Sequence, residues 1–261
     1  MRVSEIFIYP VKGCRRVPHD DALVEPWGLA GDRRWLVTDP DGVAITQRDV
    51  STLALLRAIP EAGGLSLSYP DRPSLAIPAL TPHPVTKGTI WGTTMAATAA
   101  GPAADAWITD ALGVEARLIW LDDPTRPAVE TDFARPTDRV SFADAYPLLL
   151  TNTASLEQLN DWMDVPLPMT RFRPNIVVET DRPFVEDEWT GRTIGIGQIT
   201  FRVPQPCDRC VVTTTDQETG VRGREPLRTL AKYRNINQGL MFGTNLIPEA
   251  AGVIRVGDEV S

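Results

Sequence analysis

The sequence predicts a mainly β protein with a few covering helices, an α+β fold, and three observations carry that reading. Pro and Gly are abundant, at 23 and 19 of 261 residues. They punctuate short runs rich in β-branched and aromatic residues. Apolar residues at helical spacing recur in only three places.

The β-like runs are "VSEIFIYPV", "RRWLVTD", "GLSLSYP", "RFRPNIVVET", "GQITFRV", "CVVTTTD" and "GVIRVGDEV". Each mixes β-branched or aromatic residues with polar ones and stops near Gly, Pro or Asp, as a half-buried strand does. The first helix is expected over 102–113, where "PAADAWITDALG" ends on Gly113. The second is expected over 153–163, with Leu156, Leu159 and Met163 on one face and Asn152, Thr153 or Ser155 available to cap it. The third is expected over 224–234, with Leu227, Leu230 and Ala231 on one face. Residues 122–140 are polar and broken by prolines, the best candidate for a linker.

Composition narrows the function. Apolar residues are 43% and charged residues 23%, ordinary for a globular chain with a sizeable core. A net charge of −8 disfavours nucleic-acid binding, which depends on basic surface. No run reaches membrane-spanning length, and "MRVSEIFIYPVKG" is broken by Glu5, Pro10 and Lys12, unlike a signal peptide. A cytoplasmic setting with free thiols is expected.

Only three cysteines are present, and two of them, Cys207 and Cys210, form a CxxC in "PQPCDRCVVTTTD". With Cys14, His19 and His83 scattered elsewhere, the chain lacks the ligands of a structural zinc site or a four-cysteine cluster. A thioredoxin-type motif opens a helix, whereas Val211 to Thr215 read as a strand. A dithiol, a plain structural pair and a thiolate ligand for an imported group stay open. Several cations stand in unusual settings: Lys12 beside Gly13, Arg33 after two glycines, Arg173 two residues before Asn175, and Arg209 between Asp208 and Cys210. Each alone is usually a solvated charge. Together with a soft thiolate they suit an anionic, sulfur-bearing metal cofactor.

Taken in order, "YPVKGC", "GLAGDRRWLV", "FADAYPLLL", "NTASLEQLN", "RFRPNIVV", "CDRCVVTTTD", "REPLRTLAKYR" and "GVIRVGDEV" resemble the MOSC family (molybdenum cofactor sulfurase C-terminal domain) with its N-terminal β-barrel domain. Within it they are most similar to the amidoxime reducing components and their bacterial counterparts. The resemblance spans nearly the whole chain. It implies an N-terminal MOSC-associated β domain over residues 1–121, a MOSC β-barrel over 122–261, and a molybdenum–molybdopterin cofactor in the cleft between them.

The same resemblance implies Cys210 as metal ligand and catalytic residue, with Cys207 a non-ligating neighbour. A thiolate suits a metal already held by dithiolene sulfurs, and Arg209 is expected to keep Cys210 deprotonated. Cofactor contacts carry over to Lys12, Gly13, Arg33, Ala145, Tyr146, Arg173, Asn175, Asp208, Arg209, Cys210 and Asn245. Two positions depart from the family pattern. Gly13 stands where a serine often helps to hold phosphate, and Asn245 where a tyrosine approaches the cofactor. The implied activity is reduction of N-hydroxylated small molecules such as amidoximes, hydroxylamines and N-hydroxylated bases. Electrons are expected from a separate protein, a ferredoxin or a flavin reductase. The rival reading is a non-enzymatic carrier of sulfur or of the molybdenum cofactor that uses Cys210.

Overall fold

The computed structural model describes residues 1–61, 64–82, 86–129, 131 and 133–261; His83 lies outside them. The described fold is mainly β with three α-helices, as the sequence predicts. Its largest sheet orders the strands Thr193–Ile196, Ile199–Arg202, Gly239–Pro248, Leu148–Asn152, Ile176–Glu179, Arg2–Ile8 and Val17–His19. Pro206–Asp208 and Asn235–Ile236 add to Gly239–Pro248. The N-terminal strand thus pairs antiparallel with Ile176–Glu179, and Gly252–Arg255 pairs with Asp21–Glu25, so both ends of the chain share sheets. A second sheet joins Trp35–Thr38, Arg117–Trp120, Thr93–Ala99 and Thr86–Ile90.

Leu148–Asn152 is buried along its whole length. Its continuous "LLLTN" run fits a central strand covered on both faces. Leu148 and Leu150 pack with Ile6, Ile176, Val178, Phe201 and Leu246, each side chain contributing roughly 1.5–3 kcal/mol on burial. Tyr9, Val11, Leu53, Phe172 and Phe242 belong to a second cluster, and Phe172 also lines the cavity described below. Phe172 and Phe242 stack there at 3.8 Å between ring centroids.

The helices follow their signals. α1 (Pro102–Leu112) begins on Pro and ends at Gly113, whose φ of 70° lets its N–H reach Thr109. α2 (Thr153–Asp161) is capped by Asn152, whose side chain accepts the Ala154 N–H at 3.0 Å. Ser155 instead turns its hydroxyl to the buried Glu186, at 2.7 Å. α3 (Leu227–Tyr233) is shorter than expected and buries Leu230, while Ala231 is exposed.

One expected strand is absent. Val211–Thr214 is a 3₁₀ turn, and the strand lies before it, at Pro206–Asp208. The threonines explain the difference. Thr213 Oγ1 donates to the Cys210 carbonyl at 2.9 Å and Thr214 Oγ1 to that of Val211 at 2.8 Å, so the hydroxyls fold the chain back on itself. Residues 122–140 contain no helix or strand among those described, yet Val129 and Val140 are buried. The segment packs as part of the wall.

Candidate functional site

Tyr9, just beyond the N-terminal strand, organises the cationic wall. Arg33 and Arg173 lie over its ring, with guanidinium carbons 4.6 and 4.2 Å from the centroid. Its hydroxyl donates to the Pro174 carbonyl at 3.0 Å, and burial pushes its pKa up to about 12. Both arginines have left-handed backbones, with φ of 46° and 56°, a conformation uncommon outside glycine. Arg33 Nη1 meets Asp32 at 2.6 Å and the Asn175 side-chain oxygen at 3.0 Å. Arg173 Nη1 meets the Cys14 carbonyl at 2.7 Å and Gln217 Oε1 at 2.8 Å. Among the described residues each of the two arginines is fixed through one terminal nitrogen. Burial lowers the Arg173 pKa, and Asp32 raises that of Arg33 against the same desolvation.

Lys12 is buried and donates to the Phe142 carbonyl at 2.9 Å and to Asp144 at 2.7 Å. Burial draws its pKa down while Asp144 opposes the shift. Gly13 has a φ of 84°, and a Cβ there would lie 2.6 Å from Leu53 Cδ2. A side chain there would strain the backbone and force Leu53 to shift.

Behind this wall Gln47 and Gln217 exchange side-chain amide bonds at 3.0 Å in both directions. Gln47 also donates to the Gly13 carbonyl at 2.7 Å, and Gln217 to that of Thr215 at 3.0 Å. The pair ties the Lys12–Gly13 turn to the segment that follows Cys210. Nothing in its local sequence announces it, because partners 170 residues apart leave no periodic trace.

Cys207 and Cys210 line the same cavity. Arg209 donates to Cys207 Sγ at 2.8 Å and to the Phe172 carbonyl at 2.6 Å. This corrects the expectation that Arg209 serves Cys210. In extended chain, residues two apart share a face, so Arg209 reaches Cys207. Against partial desolvation, interaction with the neighbouring Cys210 raises the Arg48 pKa above the ordinary arginine value. Burial raises the Cys207 pKa, against the pull of Arg209. Arg48 was not among the expected residues, and an isolated arginine in "TQRDV" offers no local signal. Trp91 was also missed, because Trp-Gly is not one of the pairs that announce a hairpin turn.

All eleven expected residues line one cavity of about 640 Å³. Lys12, Gly13 and Arg33 come from the first half of the chain; Ala145, Tyr146, Arg173, Asn175, Asp208, Arg209, Cys210 and Asn245 come from the second. Some are partly committed elsewhere. Asn175 bonds Arg33, the Leu149 N–H and the Phe7 carbonyl. Asp208 accepts the Leu240 N–H at 2.7 Å. Asn245 donates to the Gln205 and Pro206 carbonyls, each at 3.3 Å. Five cations line the cavity against two carboxylates, Asp144 and Asp208. Such a basin in an acidic protein focuses an anion. Among the described residues no group of three or more His, Cys, Asp or Glu is placed to hold a bare metal ion.

Known proteins share this organisation. The MOSC N-terminal beta barrel domain model matches residues 1–115, and the MOSC domain model matches residues 137–261. Human mitochondrial amidoxime-reducing component 1 is 34% identical over 99% of this chain and 82% of its own length. Human component 2 is equally identical over the same shares, and mouse component 1 is 32% identical over 99% of this chain and 81% of its own. With the two family models matching residues 1–115 and 137–261 and relatives aligned over 99% of this chain, the chain belongs to the MOSC family and carries that family's N-terminal beta barrel domain.

Proposed function

We propose that this chain is a molybdenum-cofactor-dependent reductase of N-hydroxylated compounds, with Cys210 as the protein's ligand to the metal. The observation that carries the reading is one cavity lined by both a half-buried thiol and five cations, in a chain similar to proteins named for amidoxime reduction.

The wall suits an anionic guest rich in hydrogen-bonding atoms. Arg48, Arg173 and Arg209 form no salt bridge among the described residues. Arg209 Nε and Ser141 Oγ are buried without a hydrogen-bond partner, and both residues line the cavity. Buried donors of this kind normally find partners, and a pterin phosphate with its ring edges supplies them. When bound, the cofactor supplies the two-electron reduction that cleaves the N–O bond.

The chain's own residues hold and orient. Lys12, Arg33 and Arg173, with the Gly13 N–H, hold the phosphate. Arg209 and Asn175 flank the pterin, as do backbone groups at Ala145 and Tyr146. Cys210 offers a soft thiolate. Ile90, Met95 and Val140 give the remaining wall an apolar surface that displaces water from the substrate. On this reading residues 1–121 and 122–261 are the two domains and the cofactor lies between them. The protein works in the cytoplasm, and a separate ferredoxin or flavin reductase delivers the electrons.

The test is to produce the protein in molybdenum-replete cells, measure molybdenum per chain by plasma mass spectrometry, and follow benzamidoxime reduction with dithionite-reduced methyl viologen. Near-stoichiometric molybdenum with turnover supports the reading. Bound molybdenum without turnover overturns the reductase in favour of a cofactor carrier. A chain that takes up no molybdenum overturns both.

A further inference from the structure

The strands Thr86–Ile90 and Thr93–Ala99 form a hairpin in which Thr93 pairs with Ile90, leaving Trp91–Gly92 as the turn. Both turn residues have positive φ, 50° and 90°. Turns of this hand favour Asn or Asp at the first position. A bulky aromatic there is an outlier, and such strain collects at functional sites. Core packing does not account for it, because Trp91 is 54% exposed.

Two contacts pin the ring. Its Nε1 donates to Asp144 at 3.1 Å, and the Arg48 guanidinium carbon lies 4.1 Å from its centroid. Asp144 is held in turn by Lys12 at 2.7 Å. The indole is therefore fixed relative to the cations of the cavity, which Trp91, Arg48 and Cys210 all line. Arg48 covers one face, and no aromatic ring stacks on the other among the described residues.

We propose that the exposed indole of Trp91 is the surface on which substrate stacks, so that it selects planar, π-conjugated N-hydroxylated groups over aliphatic ones. The inference rests on the reductase reading above. A flat conjugated group placed over an immobilised indole gains offset stacking that an alkyl group lacks.

Benzamidoxime and acetamidoxime share the reacting group and differ in the conjugated ring, so they form the test pair for the cofactor-loaded enzyme. Trp91→Asn removes the ring while keeping a residue that tolerates positive φ, and Trp91→Phe restores a ring. The expected result is that Trp91→Asn lowers kcat/KM on benzamidoxime about tenfold more than on acetamidoxime, mainly through KM, with Trp91→Phe recovering most of the selectivity. Equal losses on both substrates, or no loss, overturn the inference. If the wild type reduces neither compound, the reductase reading falls by itself. The stacking surface is then judged by saturation-transfer NMR with benzamidine. Ring contacts in wild type and Trp91→Phe that vanish in Trp91→Asn uphold it, and equal signals in all three overturn it.

Discussion

Arg209 and Cys207 are joined by a 2.8 Å hydrogen bond from guanidinium to sulfur. The two thiols of the CxxC thus stand in different surroundings, although both line the cavity. Cys207 helps to fix Arg209, which also holds the Phe172 carbonyl. Cys210 stands at the start of the 3₁₀ turn, half-buried at the cavity.

Cys210→Ser is expected to abolish reduction of N-hydroxylated substrates with little change in melting temperature, because the hydroxyl is similar in size but a harder donor. Cys207→Ser retains an acceptor for Arg209 and should keep most of the activity. Cys207→Ala removes that acceptor and should lower molybdenum content. Activity, molybdenum content and thermal melts on the three variants check this. A dead Cys207→Ser beside an active Cys210→Ser would reverse the assignment of the ligand.

Arg173→Ala should lower cofactor occupancy more than it lowers the rate per bound molybdenum. A charge-assisted contact is worth about 1.5–3 kcal/mol, tenfold or more in affinity. Gln217→Leu should produce a smaller loss of the same kind, since it frees Arg173 from one of its two fixed partners. Molybdenum content equal to wild type in Arg173→Ala would remove this residue from the phosphate site.

The difference between what was legible in the sequence and what was not follows from the range of the interactions. Local signals read well. Asn152 caps α2, Gly113 closes α1, and Arg173 stands at the mouth of the strand Ile176–Glu179. The ordered motifs also named a set of residues that converge on one cavity. The 3₁₀ turn after Cys210 was missed because β-branched residues favour strands on average, and only the Thr213 and Thr214 hydroxyl bonds decide otherwise. Arg48, Trp91 and the Gln47–Gln217 pair act across the fold, where composition and period carry no information.

The Lys12–Asp144 pair gives a pH prediction. Desolvation alone would raise the Asp144 pKa, but Lys12 and the Trp91 N–H hold it well below the usual carboxylate value. A depressed acid contributes stability above its unfolded pKa, near 3.9, and loses it as pH falls through the lower folded value. Because the Asp144 side chain is 66% exposed, solvent screens the pair and the effect should be modest. Asp144→Asn should therefore flatten the acid limb of stability measured by urea unfolding below about pH 4, and raised salt should do the same to the wild type. An acid limb unchanged by the substitution would show that the pair contributes nothing.

Gly13→Ser tests whether a hydroxyl can be introduced beside the phosphate cradle. Two costs stand against it. The φ of 84° strains any residue with a Cβ, and that atom would sit 2.6 Å from Leu53 Cδ2. Leu53 is fully buried in the core and has little room to withdraw. Together these should destabilise the fold by about 2 kcal/mol, a fall of several degrees in melting temperature for a chain of this size. The carbonyl of Gly13 is also held by Gln47, so a shift of the turn should carry into the Gln217 and Arg173 network and reduce cofactor occupancy. Pairing the substitution with Leu53→Val, which trims the clashing side chain, should recover part of the loss in a non-additive way. Strictly additive melting shifts in that cycle would mean that Leu53 is not what excludes a side chain at Gly13.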